Sequence, residues 1–234
     1  MRPTPAELER LYAYPEVDRP WVRTDFVATL DGAAWTSSGT SGDLGGDIDH
    51  EVFGLMRSLC DVVVVGAGTA RTEGYKPLTE DSVDQDVRGR YGLAPVPRLV
   101  LVTGSLDVGD RLRVPGVAVL TSGSSDPDRR AALESDGLEV LVHGEGSIDW
   151  DAALTDFAER GWNRVLCEGG PSLHGDLAAA DLVDEVCLTI APVLAVGDAQ
   201  RIAHGDQPVD RPARLAHALD VDGTLVTRWV LHES

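Results

Sequence analysis

The chain has 234 residues, 39 acidic side chains and 20 basic ones, so its formal net charge at pH 7 is −19. This charge excludes a general nucleic-acid-binding or membrane-surface role, because both partners attract basic faces. We therefore expect a small-molecule partner, no nucleic acid and no membrane. Only one basic residue is a lysine, Lys76, and no phosphate-binding loop of the GxxxxGK[ST] type surrounds it.

The three cysteines, Cys60, Cys167 and Cys187, lie in or beside apolar runs and do not have the spacing of a zinc site. We expect buried thiols in a reducing compartment and no metal. The N-terminus lacks an apolar signal segment, and no apolar run approaches the roughly 20 residues that a membrane-spanning helix needs. These features predict a cytoplasmic protein.

Short β-rich runs alternate with amphipathic stretches along the chain. The predicted helices cover residues 48–59, 127–136 and 150–160. The predicted strands cover residues 21–30, 62–65, 99–102, 117–120, 138–142, 164–167, 185–190, 215–221 and 225–231. This alternation predicts an α/β fold in which helices cover both faces of a mostly parallel sheet.

The end of the chain departs from the alternation. Asp222-Gly223 separates the last two predicted strands and is typical of a two-residue hairpin. Residues 79–97 are polar and contain glycines and prolines, so we expect a long surface loop there. We divide the chain into an N-terminal extension over residues 1–18 and a single domain over residues 19–234.

Glycine and hydroxyl residues follow four of the predicted strands, over residues 66–69, 103–105, 121–124 and 168–172. The carboxyl ends of parallel strands meet at one edge of the sheet, where ligands bind. Glycines let the backbone approach a ligand, and helix N-termini favour anions. Together these loops predict a site for a phosphate-bearing nucleotide.

The first of these loops, Gly66-Ala67-Gly68-Thr69-Ala70-Arg71, is not the usual dinucleotide fingerprint, because Arg71 stands in place of the third glycine. Arg71 is placed where a cation could meet a phosphate, or it is an ordinary surface arginine. Asp31-Gly32 ends the first predicted strand and by itself is typical of a turn. The small polar residues 36–46 that follow could close over a ligand.

Several motifs occur in the order that is typical of the pyrimidine reductases of riboflavin biosynthesis. They are Leu30-Asp31-Gly32, the glycine-rich loop after it, residues 56–69 (MRSLCDVVVVGAGT), Glu168-Gly169-Gly170-Pro171-Ser172-Leu173, and residues 182–194. The chain resembles this family from about residue 19 to its C-terminus. The zinc deaminase half that often accompanies this reductase, with its HxE and PCxxC motifs, is absent from the sequence.

The resemblance implies a fold similar to dihydrofolate reductase, with three α/β/α layers, a mainly parallel central sheet and an antiparallel C-terminal hairpin. It also implies a homodimer, NADPH as the cofactor, and a Gly169–Gly170 peptide bond that is often cis. The activity it implies is NADPH-dependent reduction of a small heterocycle, similar to the reduction of 5-amino-6-(phosphoribosylamino)uracil, whose ribosyl group becomes ribityl.

Site residues follow from the resemblance together with the loop pattern. Asp31 and Glu168 are expected to be the catalytic acids. The residues expected to contact the substrate are Thr29, Trp35, Asp49 and Tyr75. The expected cofactor contacts are Gly66, Gly68, Thr69, Arg71, Thr103, Gly104, Ser105, Thr121, Gly169, Gly170, Pro171, Ser172 and Leu173. His174 is expected on the surface of the helix that follows.

The chain also departs from the family. Family members typically have Lys after Asp-Gly, where this chain has Ala33, and an Asp and a later Arg where residues 72–81 have neither in the matching place. Those positions recognise the phosphoribosyl substrate. Two alternatives therefore stay open: a pterin such as dihydrofolate as the substrate, or a protein that binds NADPH without catalysis.

Overall fold

Runs of β-branched and apolar residues build the strands of this computed structural model, which describes residues 2–16, 18–37, 39–42, 44–206 and 208–232. The strands are β1 (Trp21–Ala28), β2 (Val62–Gly66), β3 (Arg98–Val102), β4 (Val117–Thr121), β5 (Glu139–Val142), β6 (Arg164–Cys167), β7 (Glu185–Ile190), β8 (Arg214–Val221) and β9 (Thr224–Val230). The helices are α1 (Pro5–Tyr12), α2 (Gly46–Leu59), α3 (Ala67–Thr72), α4 (Gln85–Arg90), α5 (Pro127–Ser135), α6 (Trp150–Glu159) and α7 (Pro171–Ala179). Short 3₁₀ turns cover Glu80–Ser82 and Asp110–Leu112.

The strands of the described chain form one sheet in the order β5-β4-β3-β2-β6-β1-β7-β9-β8. Neighbours from β5 to β7 are parallel, and β9 runs antiparallel to both β7 and β8. The predicted α/β fold with a mainly parallel sheet and an antiparallel C-terminal hairpin is confirmed. The hairpin turns at Asp222 and Gly223, whose positive φ angles of 53° and 88° match the turn that such a pair favours.

Both faces of the sheet are buried, which explains the continuous run of valines in β2. Val63 and Val65 face a core formed with α1 to α5. Val62 and Val64 face a second core, formed with α6 and α7. The two cores give the three layers.

The N-terminal segment is packed into this body. Thr4 caps α1 in a capping box with Glu7, whose carboxylate accepts a hydrogen bond from Thr4 N at 2.8 Å. Leu8 and Tyr12 of α1 are buried in the same core as α2. Residues 2–12 therefore contribute to the core of the domain that follows.

The prediction of a loop over residues 79–97 is wrong for part of that stretch, because α4 lies inside it. Asp84 caps α4 by accepting hydrogen bonds from the amides of Asp86 and Val87 at 2.9 and 3.0 Å. Arg88 is buried and donates to the carbonyl oxygens of Ser58 and Cys60 at 3.3 and 3.0 Å. These contacts hold a polar segment against the C-terminal end of α2.

Cys60, Cys167 and Cys187 are all buried and none forms a disulfide. Burial raises the pKa of each thiol, to about 12 for Cys167. Within the described ranges, no helix is long and apolar enough to cross a bilayer. In that same part of the chain, no three His, Cys, Asp or Glu side chains are grouped in a way that could hold a metal ion.

Candidate active site

A cavity of about 1000 Å³ opens at the carboxyl ends of β1, β2, β3 and β6. This is the edge of a parallel sheet at which ligands bind. One end of the cavity is formed by Val102 at the end of β3 and by Thr103 and Gly104 after it. The other end is formed by acidic and aromatic residues of β1 and α2. Its volume is at the upper end of the roughly 300–1000 Å³ that is typical of small-molecule sites.

Bare backbone forms the middle of the cavity. The Gly169–Gly170 peptide bond is cis, and Gly66 N donates to Gly169 O at 2.7 Å. A Cβ added at Gly170 would collide with Thr69 Oγ1, so glycine is required for this close approach. Gly66, Gly68, Thr69 and Gly170 line the cavity.

The N-terminus of α7 borders the same space through Pro171, Ser172 and Leu173. The backbone bond from His174 N to Gly170 O, 3.0 Å long, is the first of the helix. The amides of Ser172 and Leu173 therefore have no acceptor within the helix, and Pro171 has no N–H. Such an end is suited to an anion.

The other predicted cofactor contacts lie at or beyond the β3 end. Ser105 is exposed next to the cavity wall, whereas Thr121 is buried in β4 with an Oγ1 that bonds no described residue. Arg71 does not line the cavity, and its guanidinium pairs with Asp107, 3.4 Å from Oδ2. Arg129 of α5, which the sequence pattern did not single out, donates to Ser105 O at 2.9 Å.

Glu168 lies at the opposite end, in a network that the sequence predicted only in part. Its two carboxylate oxygens accept from Arg57 Nε and Nη2, both at 2.7 Å, and Oε2 also accepts from Tyr75 OH at 2.7 Å. Arg57 stacks over the ring of Phe53, 4.1 Å from its centroid. Burial lowers the pKa of Arg57, but the charge of Glu168 and the hydrogen bonds to it outweigh that effect, so the pKa of Arg57 is raised.

Asp25 is a further residue of this cavity that the sequence analysis did not single out. It lies in the middle of β1, between β6 and β7 in the sheet, and its side chain lines the cavity. Burial, followed by the negative charges of Asp49 and Glu168, raises the pKa of this carboxyl group well above its usual range. A strand position with alternating neighbours gave no signal that its side chain would enter a site.

Asp49 of α2 lines the cavity near Asp25. Burial raises its pKa, and a hydrogen bond with Thr189 opposes that shift. Its carboxyl group occupies the space that a side chain at Gly45 would need. Trp35 and Tyr75, the other residues predicted on the substrate side, line the same cavity.

Asp31 and Thr29 lie outside the cavity. Asp31 is exposed, accepts from Thr29 Oγ1 at 2.6 Å and from Ala195 N at 3.0 Å, and does not line the cavity. These two hydrogen bonds lower its pKa. The Asp-Gly pair therefore forms a turn that fixes the exit of β1.

His174 is not on the helix surface, so that prediction is wrong. It is buried, stacked on Phe26 with ring centroids 4.5 Å apart, and its Nδ1 lies 3.1 Å from Ile202 O. Phe26 in turn occupies the space beneath Gly169, where an added Cβ would lie 2.9 Å from the ring. The histidine thus packs against Phe26, and Phe26 packs against the glycine turn.

The polar segment 36–46 borders the cavity through Gly39, Ser41 and Gly42. Ser41 donates to Glu73 Oε1 from both its amide and its hydroxyl, at 3.0 and 3.1 Å. Ser38 and Asp43, which belong to the predicted lid, lie outside the described residues. In the described part, one carboxylate at the end of α3 thus holds this segment beside the site.

Known proteins share this architecture and sequence. The family model of the RibD C-terminal domain matches residues 20–227. The chain is 31% identical over 193 residues to the 2,5-diamino-6-ribosylamino-4(3H)-pyrimidinone 5′-phosphate reductase of Methanothermobacter thermautotrophicus, covering 80% of this chain and 85% of that enzyme. An Archaeoglobus fulgidus protein of the same description is 25% identical over 198 residues, covering 80% and 88% of the two chains.

A solved structure adds the likeness in fold. The pyrimidine reductase-like protein of Corynebacterium diphtheriae superposes with a TM-score of 0.85 over 97% of this chain and 99% of its own, at 24% identity. At that identity the likeness concerns the fold alone. The fold places the cavity at the carboxyl edge of the sheet, where Glu168 and the glycine turn meet.

Proposed function

This chain belongs to the family of the RibD C-terminal domain, and we propose that it reduces the ribosyl group of a phosphoribosylaminopyrimidine with NADPH. It is an oxidoreductase by that membership. The observation that carries the proposal is one continuous cavity that joins a glycine-lined, anion-favouring wall to an acidic pocket.

The residues of the cavity fit a reduced nicotinamide dinucleotide. Gly66 and Gly170 leave backbone without side chains at the narrow centre, where a Cβ at Gly170 would already collide. Free amides at the start of α7 suit a phosphate. Thr103 and Gly104 border the far end, which is where the adenosine part would lie. The cofactor supplies a hydride when it is bound.

The chain's own residues would position the substrate beside that wall. The Arg57–Glu168 pair is fixed by two parallel hydrogen bonds and by Tyr75. Glu168 is therefore an acceptor that shapes the pocket and orients Tyr75. Lys76 lines the cavity and makes no ion pair with any described residue, so we assign it to the substrate phosphate, which needs a cation.

The direct test follows NADPH oxidation by absorbance with three substrates: the 2,5-diamino-6-ribosylamino-4(3H)-pyrimidinone 5′-phosphate, its aminouracil counterpart and dihydrofolate. Binding of NADPH is measured separately by fluorescence. We expect NADPH binding and turnover of at least one phosphoribosylaminopyrimidine. Turnover of dihydrofolate alone would identify a pterin reductase, and NADPH binding without any turnover would indicate a binding protein.

We also propose that the chain forms a homodimer through its C-terminal edge. Strand β8 ends the sheet, and no other described strand pairs with its outer side. Leucines and a valine are exposed along this edge and at the end of β7: Leu215 is 44% exposed, Leu225 39%, Leu194 70% and Val196 94%. A second copy would cover this strip.

Light scattering after size exclusion tests the dimer. We expect twice the mass of one chain for the natural protein and a monomer for Leu215→Glu with Leu225→Glu. An unchanged mass in this variant would place the interface elsewhere. A cytoplasmic location stays a prediction from the sequence.

A further inference from the structure

Asp25 is a carboxyl group of the cavity that lies on the central strand β1. Its side-chain oxygens accept no hydrogen bond from the residues that the structure describes, although β1 lies in the middle of the sheet. Two other carboxyl groups of the cavity already accept hydrogen bonds. Glu168 accepts from Arg57 and Tyr75, and Glu73 accepts from Ser41.

The surroundings of Asp25 favour its neutral form. From α2, Asp49 and Arg57 face it, and Glu168 faces it from the end of β6. Arg23 from β1 also acts on it, but that guanidinium is bound to Glu185. The remaining titratable neighbours belong to α1, the segment after α3, β6 and β7, and they are Tyr12, Tyr75, Cys167 and Cys187.

The combined effect of these groups on the pKa of Asp25 has one direction. Burial and the two carboxylates raise the pKa of Asp25, and the two arginines oppose this rise without cancelling it. The nearby tyrosines and cysteines have raised pKa values and stay neutral. Asp25 therefore holds a proton at a pH where exposed carboxyl groups have lost theirs.

We propose that Asp25 is the proton donor of the reaction, with its carboxyl group aimed at the substrate from the centre of the sheet. This inference rests on the proposed function. When the ribosyl ring is reduced, the bond between C1′ and O4′ breaks, C1′ accepts the hydride, and O4′ accepts one proton. The products are the ribityl chain and oxidised cofactor, and Asp25 regains its proton from water.

A protonated carboxyl group beside a hydride acceptor is the arrangement that general acid catalysis needs. Asp31, the acid that the sequence predicted, is exposed and lies outside the cavity. Both carboxylate oxygens of Glu168 already accept hydrogen bonds, from Arg57 and Tyr75. Asp49 acts on Asp25 through its charge, as a positioning residue.

The test compares Asp25→Asn with Asp110→Asn, an exposed aspartate of the second 3₁₀ turn. We expect Asp25→Asn to lower kcat by about 100-fold, within the range for a lost general acid. Its KM and its Kd for NADPH stay close to those of the natural protein. The alkaline fall in kcat, caused by loss of the Asp25 proton, disappears. Asp110→Asn behaves as the natural protein.

Two further readouts test the protonation of Asp25 and its role in the reaction. In the natural protein, the infrared band of a protonated Asp25 carboxyl group is expected to persist above the ordinary pKa of an exposed aspartate, and it is lost in Asp25→Asn. Asp49→Asn removes a charge that raises the pKa of Asp25, so the alkaline limb of the kcat profile moves to lower pH. Only the shift of the alkaline limb separates the two roles, because a protonated carboxyl group with a structural role would give the same infrared band.

The outcomes are distinct from those that test the proposed function. If the natural protein oxidises NADPH with a phosphoribosylaminopyrimidine and Asp25→Asn keeps both the rate and the alkaline limb, the donor role is overturned and the function stands. A loss seen only in KM also overturns it, since that result means ground-state binding. If the natural protein reduces no such substrate, both proposals fail together.

Discussion

Arg57 and Glu168 form a bidentate ion pair, with Nε to Oε1 and Nη2 to Oε2 both at 2.7 Å. Arg57 is 17% exposed at its side chain and Glu168 only 1%. The pair connects the C-terminal part of α2 to the loop after β6, so it fixes one wall of the cavity. Two parallel bonds of this kind set an orientation that a single lysine contact could not.

Breaking this pair from one side should destabilise the protein. Glu168→Gln leaves the buried Arg57 without its counter-charge, and we expect a loss of about 3 kcal/mol in the free energy of unfolding. Urea denaturation measures it. The double variant Arg57→Met with Glu168→Met should recover most of that stability, because no unpaired charge remains. Full recovery of activity in the double variant would show that the pair does not shape the site.

Two glycine substitutions should separate folding from cofactor binding. In Gly66→Ala the new Cβ lies 3.5 Å from Gly170 N, an ordinary contact, and φ is −62°, so the fold is retained. We expect its Kd for NADPH to rise at least about tenfold, or 1.4 kcal/mol, because the methyl group narrows the cavity centre. Fluorescence titration measures this change, and an unaltered Kd would place the cofactor elsewhere.

Gly169→Ala is the matched variant, and we expect it to destabilise the fold. Gly169 has a φ of +85°, and its Cβ would lie 2.9 Å from the ring of Phe26. A left-handed conformation alone costs a residue with a side chain about 1–2 kcal/mol. We expect a lower melting temperature for Gly169→Ala than for Gly66→Ala. Equal melting temperatures would contradict this packing.

Asp25→Asn should stabilise the fold while it removes activity. The folded pKa of Asp25 is raised above the unfolded value near 3.9. Its contribution to stability is therefore fully present below about pH 3.9 and is lost as the pH rises through the folded pKa. Asparagine has no charge to bury, so we expect its advantage in melting temperature to increase with pH across that range. Calorimetry at several pH values tests this, and a variant that is less stable at high pH would contradict it.

His217 should make the protein sensitive to acid. Burial, and then the charge of Arg228, lower its pKa to about 4, and its ring packs edge-on against Tyr12 at 4.9 Å. Between about pH 6.5 and that value the unfolded chain binds a proton that the folded chain does not, so stability falls as pH falls. We expect His217→Phe to lose less stability between pH 7 and pH 5 than the natural protein. His204→Asn, at an exposed histidine, serves as the control.

The fold could be predicted from local signals that agree with tertiary structure. Three local patterns are enough to predict the burial or the turn of their own segment. They are the valines of β2, the hairpin at Asp222 and the amphipathic pattern of α6. The loop around α4 could not be predicted in the same way. Its helix is short and polar, and it is held by Arg88, whose carbonyl partners are 28 to 30 residues distant.

The candidate site likewise contains residues that could be predicted from local sequence and residues that could not. The glycine turn and Glu168 belong to contiguous motifs, so their place at the sheet edge follows from the strand before them. Asp25 becomes part of the site only because β1 lies between β6 and β7, an order that no local pattern specifies. Asp31-Gly32 is by itself typical of a turn, and the structure has a turn there, whereas the role of Asp31 as an acid came only from the family resemblance.

The three buried thiols can report local opening of the folded protein. Cys60 precedes β2, Cys167 ends β6 and Cys187 lies within β7, so together they sample the centre of the sheet. Their raised pKa values make the native thiols poor nucleophiles. An alkylating reagent would therefore react only with chains that have opened, and the order in which the three sites are labelled would show which strands separate first.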